Sequence, residues 1–128
     1  MSKRHNISSG VKWEDIVGYS RAVIADGRVL ISGTTSIVGD EVKGKGDFYL
    51  QTKTILQKIE KVLDEAGSSM ENVIRTRIYT TDISKWEEIG KAHGEFFGKI
   101  KPASAMIEIK GLVDPEMLVE IEAEALVN

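Results

Sequence analysis

Three glutamates occupy alternate positions in "LVEIEAEALV" (118–127), and two arginines and a tyrosine do the same in "VIRTRIY" (73–79). Successive residues of a strand point to opposite faces. Glu120, Glu122 and Glu124 would therefore share one face, with Val119, Ile121, Ala123 and Ala125 on the other. Arg75, Arg77 and Tyr79 would lie opposite Ile74, Thr76 and Ile78. A third stretch, "SAMIEIK" (104–110), sets Ser104, Met106, Glu108 and Lys110 against Ala105, Ile107 and Ile109. A carboxylate in such a row can position a water for attack, and an arginine fork can hold an anion. The same groups can also simply pair across neighbouring strands.

Two accounts of this charged face follow. It is a solvated sheet face whose ion pairs contribute ~0–1 kcal/mol each. Or subunits pack sheet against sheet, and the charges form a semi-buried network with a ligand cleft at the seam. Buried charges must be paired, and this face supplies both signs in similar number.

Other chemistry has little to build on. The two histidines, His5 and His93, are far apart, and there is no cysteine, so no metal site, disulfide or thiol nucleophile is expected. His93 falls on the apolar stripe of a helix, which favours packing over catalysis. Trp13 either lines a cleft or covers the sheet edge. "GDEVKGKG" (39–46) lacks the ending of a phosphate-binding loop. No basic patch with interleaved aromatics suggests a nucleic-acid partner.

The elements that must position these residues are legible. "SRAVIA" and "RVLISGTT" flank Asp26-Gly27, a strong hairpin signal. "KRHNISS" (3–9) reads as a short edge strand, and residues 36–46 as a glycine-rich loop with room for one more. Ile55, Leu56, Ile59, Val62, Leu63 and Ala66 repeat at helical spacing between a capping Asp47 and Gly67. A second helix opens at "SKWE", where Ser84 and Glu87 fit a capping box, with Trp86, Ile89, Ala92 or His93, Phe96 and Phe97 as its stripe. The order β-β-(β)-α-β-α-β-β, with alternating strands, predicts an α+β domain: a sheet with two helices on one face. At 128 residues, 41% hydrophobic and 29% charged, the chain suits one soluble domain over 1–128. The net charge of -3 favours neither nucleic acid nor an anionic membrane. The polar "MSKRHNISSG" and the absence of a long apolar run predict a cytoplasmic protein with no membrane partner.

Four stretches together resemble the RidA family, also called YjgF or endoribonuclease L-PSP: "GYSRAV…VLISGTT", "QTKTILQKIEKVLDEAGSSMENVIRTRIYTTDI", "HGEFFGKIKPASAMIEI" and "LVEIEAEALV". The resemblance spans nearly the whole chain. It implies a chorismate-mutase-like fold and a homotrimer with a central barrel, outer helices and three intersubunit clefts. In RidA-type members those clefts hydrolyse enamine or imine intermediates such as 2-aminoacrylate to a 2-keto acid and ammonia, without a cofactor. It implies Glu120 as the water-positioning carboxylate, with Tyr19, Ser32 and Gly33 lining the site. The departure is Ser104, which stands in "KPASAM" where the deaminating members carry the arginine that holds the substrate carboxylate. A serine cannot replace a charged fork, whose loss costs about 1.5–3 kcal/mol. Met106 stands where many members have a small residue, reshaping the pocket. Arg77 is the first candidate to take over carboxylate binding, although pairing with Glu122 or Glu124 competes for it; Arg21 is another, against a reading as a surface strand residue. Two functions stay open: hydrolytic deamination of an enamine, imine or related small carbonyl compound, or non-catalytic, regulatory binding of a small metabolite, carboxylate or keto-acid-like, at the same clefts.

Overall fold

Two positive-φ residues, Asp26 (φ 51°) and Gly27 (φ 73°), close the hairpin the sequence predicts, joining β2 (Ala22–Ala25) to β3 (Arg28–Thr34). Paired positive φ values give the turn the twist that antiparallel strands need. The computed structural model describes residues 3–128. β1 (His5–Ile7) adds to the edge of β2. A short helix α1 (Lys12–Val17) lies between them, where no helical signal was read. Its Glu14 is buried and accepts bonds from the Ser8 hydroxyl (2.9 Å), the Ser9 N–H (3.1 Å) and the Ser9 hydroxyl. Local polar bonds, rather than apolar periodicity, hold this turn.

The glycine-rich stretch forms a small hairpin, β4 (Ile37–Val38) with β5 (Glu41–Val42). Helix α2 (Phe48–Glu65) follows, and the Asp47 side chain accepts from Leu50 N–H at 2.9 Å as its cap. Asp47→Ala should lower stability by about 1 kcal/mol, read as a lower midpoint in thermal unfolding. α2 buries Ile55, Leu56, Ile59 and Leu63 completely against the sheet.

β6 (Val73–Thr80), α3 (Trp86–Phe97), β7 (Ala103–Glu108) and β8 (Val119–Leu126) complete a six-stranded mixed sheet of order β1-β2-β3-β8-β6-β7. β7 runs parallel to β6, and the other pairs are antiparallel. α2 and α3 pack together on one face. The fold is thus the α+β arrangement expected, with no helix among the described residues long and apolar enough to cross a membrane.

Four local expectations need correction. Asp82, not Ser84 with Glu87, caps the entry to α3: its carboxylate accepts from Ser84 N–H (3.0 Å) and Ser84 Oγ (2.6 Å). Trp86 is 56% exposed because the chain enters α3 through a 3₁₀ turn at Ile83–Lys85, so the helix's buried stripe is Ile89, Ala92 and Phe97. A register irregularity between Val73 and Arg75 buries Val73 and leaves Ile74 outside the core. β7 has the opposite phase to that expected. Parallel register sets Ser104 beside Thr76 and Met106 beside Ile78, both core-facing, so Ala105 and Ile107 share the face of Arg77 and Tyr79. Both alternating sets of β7 contain small and apolar residues, so its own pattern could not choose between them.

Candidate functional site

The charged face of β6 and β8 forms as alternation suggests, and the register sets its pairs. Across β6 and β8, Tyr79 faces Glu120, Arg77 faces Glu122 and Arg75 faces Glu124. Arg77 Nη1 lies 3.3 Å from Glu122 Oε1 and 3.6 Å from Glu124 Oε1, and Tyr79 Oη donates to Glu122 Oε1 at 2.9 Å. That bond, above all, keeps the Tyr79 phenol protonated beyond its usual range. Arg77 is therefore held by two glutamates. It does not line the cavity described next.

That cavity, of about 930 Å³, opens where β3 and β8 meet and runs over the flank of α2. α1 contributes Trp13, Ile16 and Val17, the β4 region Thr35, Ile37 and Val38, and α2 Lys58 and Lys61. Tyr19, Arg21, Gly33, Met117 and Glu120 complete its polar end and part of its apolar wall. Of the residues singled out from the sequence, Tyr19, Arg21, Gly33 and Glu120 line it, and so does Trp13.

Glu120 is the outermost of the three glutamates along the paired strands. Register between β3 and β8 breaks between Ile31 and Thr34, and there Gly33 meets the Glu120 carboxyl. A Cβ on Gly33 would sit 2.7 Å from Glu120 Cδ, so the missing side chain is the space the carboxylate occupies. Burial raises the Glu120 pKa; the Arg21 charge pulls it down and Glu122 pushes it up again. The net direction is upward, towards the range in which a carboxylate serves as a base near neutrality.

Of the two readings of Arg21, a candidate for carboxylate binding and a surface strand residue, the structure overturns the second. It is only 8% exposed. Its Nη2 donates to the Gly33 carbonyl at 2.8 Å, and its guanidinium carbon sits 5.9 Å from the Tyr19 ring centre. Its Nε has no hydrogen-bond partner among the described residues. Burial opposes ionisation of Glu14, but the Ser9 and Ser8 bonds and the Arg21 charge outweigh it and hold that carboxyl below its usual range.

Lys58 is the residue that sequence reasoning missed. Its Nζ donates to the carbonyls of Thr35 (2.7 Å) and Ile37 (2.6 Å), tying the β4 segment to α2. Burial, helped by the Arg21 charge, lowers its pKa to about 8. Lys58 follows Gln57 in "ILQKIEKV", one residue before the buried stripe resumes, where a lysine reads as ordinary helix surface. Its depressed pKa has a definite sign for stability. Between about pH 8 and 10.5 the unfolded chain still holds the Lys58 proton that the folded protein has lost, so Lys58 contributes rising stability with pH across that window. Urea unfolding over this range should show a less positive pH slope in Lys58→Met than in the wild type; equal slopes would contradict the shift.

Ser32, Ser104 and Met106 lie off the cavity of the single chain. Ser32 Oγ donates to the Ser20 carbonyl at 2.6 Å, fixing β3 to the segment that carries Tyr19 and Arg21. Ser104 Oγ is 2.8 Å from Thr76 Oγ1, which is 2.9 Å from His93 Nε2. The Met106 side chain packs on the core. Burial lowers the His93 pKa, and its ring stacks obliquely on Phe97 with centres 4.7 Å apart, as the packing reading of His93 expects. Among the described residues no group of three or more His, Asp or Glu is placed to hold a metal ion.

A family model described as endoribonuclease L-PSP matches residues 10–127. The chain belongs to this family. An uncharacterised protein of Streptomyces coelicolor is 37% identical over 119 residues, 93% of this chain and 89% of that one. A RutC family protein of Pyrococcus abyssi is 32% identical over 110 residues, 84% of each chain. Among solved structures, a Mycobacterium tuberculosis protein described as a member of the YjgF/YER057c/UK114 family superposes with a TM-score of 0.87 at 46% identity, covering 98% of this chain and all of that one. This L-PSP family chain thus shares its fold with that solved relative over 98% of its length.

Proposed function

We propose that this protein is a RidA-type hydrolase of small reactive imines or enamines, acting at clefts between the subunits of a homotrimer. The observation that carries the reading is Glu120: a carboxylate at the polar end of a large cavity, raised in pKa by burial and seated against a glycine. In the proposed reaction Glu120 takes a proton from a bound water as the water oxygen bonds to the imine carbon. Glu120 hands that proton to the imine nitrogen, giving a carbinolamine; the carbinolamine hydroxyl proton then passes by way of Glu120 to the amine as the C–N bond breaks, releasing ammonia and a 2-keto acid.

The sheet face opposite the helices supports assembly. Leu30 (45% exposed) and Ile107 (44% exposed) lie there beside the Arg77–Glu122–Glu124 network. A face that mixes bare apolar side chains with paired charges suits burial against another copy of the sheet better than contact with water.

The test is a coupled assay in which a serine or threonine dehydratase generates 2-aminoacrylate or 2-iminobutyrate and keto-acid release is followed. The wild type should accelerate release, and the protein should sediment as a trimer. A trimer that gives no acceleration would favour the second reading, binding without catalysis, which the serine at position 104 supports. A monomer would count against both.

A further inference from the structure

Ser104, Thr76 and His93 form a hydrogen-bonded chain that imine hydrolysis at Glu120 does not use. Ser104 Oγ lies 2.8 Å from Thr76 Oγ1, which lies 2.9 Å from His93 Nε2. The parallel register of β6 and β7 sets Ser104 directly beside Thr76, and His93 reaches the same threonine from α3. Thr76 is fully buried, His93 is partly buried, and Ser104 is exposed on β7, the last strand of the sheet. A buried threonine hydroxyl needs one partner, and His93 supplies it. The bond to an exposed serine, which water could satisfy, is additional. Packing on Phe97 accounts for the position of the His93 ring but not for the bond its edge makes to Thr76. Burial lowers the His93 pKa, so near neutrality the imidazole is uncharged and one ring nitrogen carries a lone pair. The Thr76 hydroxyl has one proton. When it donates that proton to Nε2, its oxygen is left to accept from Ser104.

We propose that Ser104 is a nucleophile that takes an acyl group from an activated ester, its proton being relayed through Thr76 to His93. A nucleophilic serine needs a base within hydrogen-bond reach; here one hydroxyl stands between the two. As Ser104 Oγ bonds to the acyl carbon, its proton passes to Thr76 Oγ1 and the Thr76 proton passes to His93 Nε2. The bond from the acyl carbon to the leaving oxygen or sulfur breaks, and the leaving group departs with the electron pair as an anion. The His93 imidazolium then gives its proton to water. The relay ends at the acylated Ser104 oxygen and carries no proton to the leaving group. The ester must therefore have a leaving group that is stable as an anion: an aryl ester or a thioester. Ser104 does not line the Glu120 cavity, so this is a second site on the chain.

The test uses p-nitrophenyl acetate with the wild-type protein at neutral pH. Release of p-nitrophenolate is followed, and the acetylated residues are mapped by mass spectrometry after proteolysis. Ser104 should be acetylated ahead of the lysines in a burst of phenolate release, and Ser104→Ala should lose both the label and the burst. Thr76→Val keeps the shape of the threonine, and His93→Gln keeps an acceptor, but neither keeps the relay to a base. Each should slow Ser104 acetylation by about 10²-fold. Thr76→Ser restores the hydroxyl and should recover most of the rate, which a packing role for Thr76 does not predict. Circular dichroism and the unfolding midpoint check each fold; should Thr76→Val not fold, His93→Gln and Ser104→Ala still decide. Acetyl groups found only on lysines, the N-terminus or His93 would overturn the proposal. So would Ser104 acetylation at the wild-type rate in folded His93→Gln or Thr76→Val. Imine hydrolysis forms no part of the readout, so this site and the Glu120 reading stand or fall separately.

Discussion

Glu120→Gln should abolish measurable imine hydrolysis while raising the unfolding midpoint at neutral pH. The first effect follows from the role of a positioned base, whose loss costs about 10²–10⁴-fold in rate. Glutamine keeps the size and the polar contacts of the side chain but cannot accept the water's proton. The second effect follows from the direction of the Glu120 pKa. Burial raises it above its unfolded value, so the folded protein binds that proton more tightly than the unfolded chain does. The stability Glu120 contributes is then fully present below the unfolded pKa and is lost as pH rises through the folded one. Near neutrality the ionised carboxylate is a cost, which the neutral amide removes. The two readouts together separate a functional carboxylate from a structural one: lost rate with a lowered midpoint would mean that Glu120 holds the fold, and unchanged rate would remove it from the mechanism.

Gly33→Ala should do comparable damage to the rate at little cost to folding. Gly33 carries no positive φ, so an alanine backbone is unstrained there. The conflict is with Glu120 alone: the new methyl would lie 2.7 Å from Cδ, 2.9 Å from Oε2 and 3.0 Å from Oε1. These are the far atoms of a flexible side chain, which can rotate away. The fold therefore yields cheaply, but the carboxylate leaves its place against Gly33. A displacement on the order of 1 Å at a reacting group costs about 10²-fold. We expect kcat to fall by that order with a change in midpoint of only a few degrees. A large loss of stability with normal specific activity in the folded fraction would show that the carboxylate is not held where the contact places it.

The paired strands were legible because alternation is a local property. Glu120, Glu122 and Glu124 had to share a face once β8 was a strand, and Arg75, Arg77 and Tyr79 had to do so on β6. The fate of Arg77 was stated beforehand as a competition, and the register decided it: Glu122 lies directly across and Glu124 one pair along, so the charge is spent within the sheet. β7 was misread because alternation gives two sets without saying which is buried, and the parallel partner β6 made that choice through Thr76 and Ile78. The capping box was misread because Asp82, two residues earlier, accepts from both the Ser84 N–H and the Ser84 hydroxyl, so that hydroxyl is committed to Asp82.

By itself, then, the sequence determined the order of β2, β3, α2, β6, α3, β7 and β8, the hairpin at Asp26-Gly27, the Asp47 cap, the shared faces of the charged residues on β6 and β8, and a family likeness that marked Glu120, Tyr19 and Gly33. These follow from periodicity and turn chemistry, which act over a few residues. Only the tertiary structure decided which cations line the cavity with Glu120. Arg21 looked like surface on its own strand, and Lys58 like the outer side of its own helix. Burial is a property of what other elements cover, and these two are half or wholly covered by segments 12 to 23 residues away in the chain: the Gly33 carbonyl at the β3 bend, and the Thr35 and Ile37 carbonyls at the start of the small hairpin. The same burial that removes them from water leaves Arg21 Nε without a hydrogen-bond partner among the described residues and pushes the Lys58 pKa down, and no pattern within either element encodes that.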